Sequence, residues 1–443
     1  MELKKNTNYG LLSFLPLIVF LFIYLGAGIL FTLMGYEDPF KQIPRETALI
    51  TGFIVALFIG KDKIDYKIDV FAKNAGDSGV TLMSLIFLLS GAFAGTAKAM
   101  GGVDATVNLG LSLCPLQFIF AGVFIISSLI ATAMGTSMGT IAAIGPIAVG
   151  IADKAGISHA VAIAAVMGGA MFGDNLSIIS DTTIAATRGA GCKMNEKFKM
   201  NLLIALPAAI VAVVLYSLVG VSGELDGNFN YDIIKILPYI IVMITAVMGL
   251  NVILVLLLGT IISGIIGIFI GTLNIITFAQ AVTNGMNGMF GLVILALLIR
   301  GLTGIAKEYG GIDWLIDILH KRIKSRKGAE YGISAMVGLI DASLANNTIA
   351  IIISAPLAKT IAKEYNIAPK RVASLLDIFS CVVQGIIPHS GQMLLCCTLA
   401  GLSPFDILGV NYYQYLLGIA TIITIQFGLL RTKEEKDGTP LYK

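Results

Sequence analysis

Four short polar stretches interrupt otherwise apolar segments, and they hold most of the side chains able to bind an ion or a small molecule. The first is Gly135-Thr136-Ser137-Met138-Gly139-Thr140, where glycines permit a tight turn and hydroxyls can replace the water around an ion. A close helix contact through small residues would use the same run. The second holds Gly173-Asp174-Asn175, Ser177 and Ser180-Asp181-Thr182-Thr183 in the middle of the segment 159–187. Two carboxylates with amide and hydroxyl neighbours are hard to bury as packing, and polar groups inside a span mark function. The third is Asn346-Asn347-Thr348, with Asp341 one to two turns earlier. Its amides can donate to a carboxylate, accept around a cation or simply cap a helix. The fourth is Gln384-Gly385 followed by Pro388-His389-Ser390-Gly391-Gln392, with Asp377 before it. Proline and glycines break this segment as the second motif breaks its own, and His389 beside the break is a proton or ligand contact or a packed, hydrogen-bonded ring.

The elements that position these stretches follow from composition. Of 443 residues, 56% are hydrophobic and 13% charged, against roughly 25% charged in soluble domains. Apolar runs near the roughly 20 residues of a bilayer span recur from Leu11 to Leu430. Alternating ten-residue segments are absent, so the fold class is an all-α polytopic membrane protein rather than a barrel. Spans are expected at 11–34 (a retained first span, not a signal peptide), 46–60, 77–96, 159–187, 198–220, 234–250, 251–273, 287–304, 370–401 and 411–430. Segments 116–153 and 331–363 read as re-entrant hairpins, because arms of about 16 residues rise only about 24 Å. Two tilted helices are the other reading. The cysteines Cys114, Cys192, Cys381, Cys396 and Cys397 are odd in number and expected free.

Charge sets the orientation. Lys61, Lys63, Lys67, Lys73, Arg188, Lys193, Lys197, Lys199, the cluster from Lys321 to Lys327, Lys359, Lys363, Lys370 and Arg371 all fall on one side. The positive-inside rule then gives a bacterial inner-membrane protein with both termini cytoplasmic. The net charge of +3 carries no nucleic-acid message.

An internal repeat underlies the arrangement. Ala97, Lys98, Gly101, Gly102 and Asp104 recur as Ala306, Lys307, Gly310, Gly311 and Asp313, and Pro146, Ile151, Ala152 and Ile157 recur as Pro356, Ile361, Ala362 and Ile367. An odd number of crossings between the copies implies two inverted-topology repeats, residues 1–220 and 234–443 with an external linker at 221–233, each holding a hairpin and a broken helix. Helices broken at mid-membrane expose carbonyls at one half-end and amides at the other. In a dry site a carboxyl keeps its proton unless a cation replaces it, so Asp174 and Asp181 holding Na⁺ in competition with H⁺ is the simplest basis for antiport.

At these residues the chain resembles the NhaC-type Na⁺/H⁺ antiporters of the wider ion-transporter superfamily. Phe172-Gly173-Asp174 with Ser177, Ser180, Asp181, Thr182 and Thr183 carries the likeness, with Gly135-Thr136-Ser137 and Gly139-Thr140, and with Leu376-Asp377 and Ile387-Pro388. The resemblance implies two inverted repeats, a homodimer with a moving transport domain, and secondary transport without a bound cofactor. The candidate binding residues from the four interruptions thus include Thr136, Ser137, Asn175, Asp377 and Ser390, of which Thr136, Ser137 and Asp377 also fall in the matching motifs. The chain departs from the family pattern at Met138, Ile178, Ile184 and His389, and the Asn346-Asn347-Thr348 tip looks more like that of carboxylate carriers. A Na⁺- or H⁺-coupled amino-acid or organic-acid transporter is therefore the alternative.

Other classes find less support. No His-Glu-x-x-His pair, Gly-x-Ser-x-Gly elbow or Walker loop occurs, so neither an enzyme nor a primary pump is expected. A passive channel would differ from a carrier in showing no saturation or counterflow.

Overall fold

The computed structural model describes residues 9–36, 42–113, 115–178, 180–219, 230–248, 250–320, 323–437 and 439–442. All regular structure in them is helical. The first half runs α1 (Leu15–Leu33), α2 (Arg45–Phe58), α3 (Ile64–Ala75), α4 (Ser78–Ala99), α5 (Gly102–Leu113), α6 (Ile119–Met134), α7 (Ser137–Ala155), α8 (His159–Leu176), α9 (Asp181–Ala190) and α10 (Met194–Leu218). The second runs α11 (Ile233–Val247), α12 (Val252–Phe269), α13 (Ile275–Asn287), α14 (Phe290–Glu308), α15 (Gly311–His320), α16 (Arg326–Leu344), α17 (Asn347–Glu364), α18 (Pro369–Ile386), α19 (Gly391–Ala400), α20 (Pro404–Leu408) and α21 (Tyr412–Gln426), closed by α22 (Lys433–Asp437). Among the described residues, eight helical stretches are long and apolar enough to cross a membrane, both broken helices included.

The sequence repeat reappears as a repeat of backbone. Helices beginning at Ser137, His159, Asp181 and Met194 have counterparts beginning at Asn347, Pro369, Gly391 and Pro404, a constant displacement of about 210 residues. Left-handed residues recur in the same register: Gly135 with Ala345, Gly156 with Asn366, Gly191 with Gly401. The halves also exchange partners. Helix α3 packs on α14 and α13 on α4, while α9 packs on α17 and α19 on α7.

Several expectations change. Residues Ile64–Ala75 form an amphipathic helix, α3, and it and α5, α13 and α15 lie between the expected spans and hairpins. The hairpin arms other than α6 have 18 or 19 residues, a rise of about 27 Å or more. Arm length therefore no longer argues for re-entry, and Ser137–Ala155 is itself long and apolar enough to span. Three cations counted toward orientation are buried and internally bonded. Lys67 donates to the Leu57 and Gly60 carbonyls at the end of α2, Arg371 pairs with Glu330, and Lys197 pairs with Asp377. Most of the expected linker, like Cys114, lies outside the described residues, and α11 already begins at Ile233. The other four cysteines are free.

Candidate functional site

Both hairpins and both broken helices converge on one cavity of about 310 Å³. Thr136 and Ser137 reach it from the first tip, Asp174, Ser180, Asp181 and Thr182 from the first break, Asn346, Asn347 and Thr348 from the second tip, and Gln384 and Gln392 from the second break. Each tip is built alike. A left-handed residue, Gly135 or Ala345, ends the incoming helix, and the next residue caps the outgoing one: Thr136 Oγ1 accepts from the Gly139 amide, Asn346 Oδ1 from the Ile349 amide. The breaks at 177–180 and 387–390 leave further amino-terminal ends, those of α9 and α19, at the cavity. Four positive helix ends therefore face a common space.

Asp174 is set by close backbone packing. A side chain at Gly173 would meet the Ser128 carbonyl at 2.5 Å and the Thr132 nitrogen at 2.6 Å, so only glycine lets α8 lie against α6 here. The Asp174 carboxylate accepts from Ser137 across the hairpin at 3.0 Å and from Ser180 across the break. Ser180 also shares a hydrogen bond with Thr182. No basic side chain among the described residues forms an ion pair with Asp174. Asp181, at the first turn of α9, is exposed and borders the same cavity.

The remaining candidates form a supporting layer. Asn175 donates to the Tyr413 hydroxyl. The Ser177 carbonyl accepts from Thr183, whose hydroxyl in turn accepts from Lys197. Asp377 is 1% exposed and pairs with the equally buried Lys197 at 2.8 Å. Ser390 caps α19 through the Met393 amide. His389 bonds the Ala342 carbonyl at 2.9 Å and lies at a smaller cavity with Arg300 and Asn346, outside the main one. Asp341 is fully buried, and neither carboxyl oxygen has a hydrogen-bond partner among the described residues.

Sequence reasoning missed Lys197 and Asn201, one helical turn apart on α10. Lys197 donates to the Asn175 carbonyl at 2.8 Å, and Asn201 donates to that carbonyl and to Asp377. Together they tie both sides of the first break to α18. The available signal was the polar pair at spacing four on one helix face near the start of a span, obscured by the neighbouring Lys193 and Lys199. Gln384 and Gln392, the polar residues that flank the second break, also line the cavity. Gln384 donates to Gln392, which donates to Ser137, so the two breaks are joined through the first hairpin tip.

Comparison with known proteins fits this arrangement. The chain is 24% identical over 454 residues to the Na(+)/H(+) antiporter NhaC of Bacillus subtilis, covering 94% of this chain and 98% of that protein. It is 22% identical to the Na(+)/H(+) antiporter NhaC of Alkalihalophilus pseudofirmus over 76% of this chain and 79% of that protein. It is 21% identical to the malate-2H(+)/Na(+)-lactate antiporter of Bacillus subtilis over 89% and 92% respectively. The model of the Na⁺/H⁺ antiporter family matches residues 9–221 and 230–430, and this chain belongs to that family.

Proposed function

We propose that this protein exchanges Na⁺ for H⁺ by alternating access, with Asp174 as the shared site. The observation that carries the reading is a buried carboxylate at a helix break, bonded to two hydroxyls and paired to no base among the described residues. Hydroxyls that now donate can rotate and offer lone pairs, so Ser137 and Ser180 can serve either the bare carboxylate or a dehydrated cation beside it. A proton and Na⁺ each neutralise Asp174, and occupancy by one excludes the other. Asp181 at the cavity edge supplies a second acidic oxygen donor on the approach. The relatives named Na(+)/H(+) antiporter support the same reading.

A second reading rests on the other wall. Asn346 Oδ1 and Asn347 Oδ1 are both occupied by backbone amides, those of Ile349 and Thr348 at 2.9 Å. A backbone amide needs an acceptor, so the carbonyl oxygens are fixed inward and the side-chain NH₂ groups are what the tip can offer a ligand. Donors beside helix amino-termini suit a carboxylate, and the malate/lactate antiporter among the relatives is compatible with such cargo.

One experiment separates the readings. In proteoliposomes an outward-to-inward Na⁺ jump should alkalinise the lumen without added substrate, and Asn346→Ala/Asn347→Ala should preserve that response. A wild type with no pH response to Na⁺ but robust uptake of a carboxylate such as lactate, lost in the double variant, overturns exchange in favour of carriage. Inverted repeats, a dimer and cytoplasmic termini in a bacterial inner membrane complete the proposal. Labelling of Lys324→Cys by an impermeant thiol reagent from outside would sink the orientation.

A further inference from the structure

A second space adjoins the site. Between α9 and α17 lies a groove of about 660 Å³ lined by Ile184, Ala185, Ile352 and Pro356, with Arg188 and Lys359 also on its wall. Asp181 and Thr348 line both this groove and the central cavity, so the two meet at those residues. Arg188 and Lys359 are exposed. Both stand near the carbonyl end of α9: Arg188 is in its last turn, and the Lys359 ammonium lies 3.6 Å from where a Gly191 side chain would begin. The negative helix end offsets part of the repulsion between them. Two cations on a low-dielectric wall raise the local concentration of anions and lower that of Na⁺.

We propose that this groove is the site's opening to water on one face, and that Arg188 and Lys359 form an anion-collecting station in it for a small carboxylate. Asp181 at the neck then meets the accompanying cation, so the route sorts charges before the central cavity does. The anion station and its carboxylate class rest on and deepen the second reading above, whereas the route requires only that the site open to water.

The test uses Ile352→Cys in a full-length background carrying Cys114→Ala and Cys192→Ala, reconstituted in proteoliposomes. An anionic methanethiosulfonate should modify Cys at position 352 faster than a cationic one, by about tenfold at low salt. The preference should fall toward parity when Arg188→Gln and Lys359→Gln are added. Faster reaction with the cationic reagent, or a preference that survives the double substitution, overturns the station. L-malate should slow the anionic reagent more than sodium chloride of equal ionic strength. Equal slowing means screening alone and overturns carboxylate binding, without bearing on Na⁺/H⁺ exchange, which the pH-jump assay reads separately.

Discussion

The two broken helices share a backbone and divide the chemistry. At the first break stand Asp174, Asn175, Ser180 and Asp181. At the matching positions of the second stand Gln384, Gly385, Ser390 and Gly391. One support is common to both: Asn201 donates to the Asn175 carbonyl at 3.0 Å and Asn411 to the Gly385 carbonyl at 2.8 Å, each satisfying an acceptor that the break has freed. The ionic parts are not shared. Where the first half has Lys197, the second has Ile407, fully buried. Ser180 reaches back across its break to Asp174, but Ser390, with no carboxylate to meet, caps its own helix. The helix starts and carbonyl supports of the two breaks thus match, while the carboxylates that line the cavity at a break belong to the first, and Asp377 of the second half is met by Lys197 from the first. Two charged breaks would place extra buried carboxylates in one cavity, each needing its own counter-ion.

The largest test of this division lies at Asp174. Asp174→Asn should abolish Na⁺-dependent pH change in proteoliposomes while the protein remains inserted and monodisperse. Gln384→Ala at the equivalent position should leave most of the activity. Comparable losses in both variants would mean the two breaks share the ionic work.

Stability should show the next largest contrast. Lys197→Met strands Asp377 as a buried charge and should cost roughly 3–5 kcal/mol, read as a lowered denaturation midpoint in detergent. Adding Asp377→Leu should recover most of it, since removing both partners is far milder than removing one. Ile407→Met should cost under about 1.5 kcal/mol. A single Lys197→Met variant as stable as wild type would refute the ion pair as a brace for the first break.

The smallest contrast concerns the shared supports. Asn411→Ala leaves the Gly385 carbonyl bare, at about 1–3 kcal/mol. Asn201→Ala leaves the Asn175 carbonyl with Lys197 as its donor, so its cost is chiefly the lost hydrogen bond of 2.7 Å to the Asp377 carboxylate, about 1.5–3 kcal/mol. An unchanged unfolding midpoint in Asn201→Ala would show that this carboxylate bond adds nothing.

The sequence by itself determined the membrane class, the location of the breaks and tips, and the carboxylates and amides they carry. Those features are written in local composition: apolar length sets a span, glycine and proline set a break, and a polar run inside hydrocarbon has few structural reasons to exist. Repeated residue patterns preserved the register that the helix starts and left-handed turns later displayed. Three things only the tertiary structure decided. Lys197 reads in sequence as one more cation of a solvated loop, and only the packing of α10 against α18 turns it into a buried partner of Asp377, since an ion pair joining positions so far apart leaves no local pattern. The Asn346 and Asn347 side chains were ambiguous until the tip's geometry gave both oxygens to backbone amides, those of Ile349 and Thr348. Asp174 and the second hairpin tip share a cavity because partner exchange between the halves brings them together. Periodicity fixes which residues lie on one face of one helix, but which helices meet is settled by the joint packing of all of them.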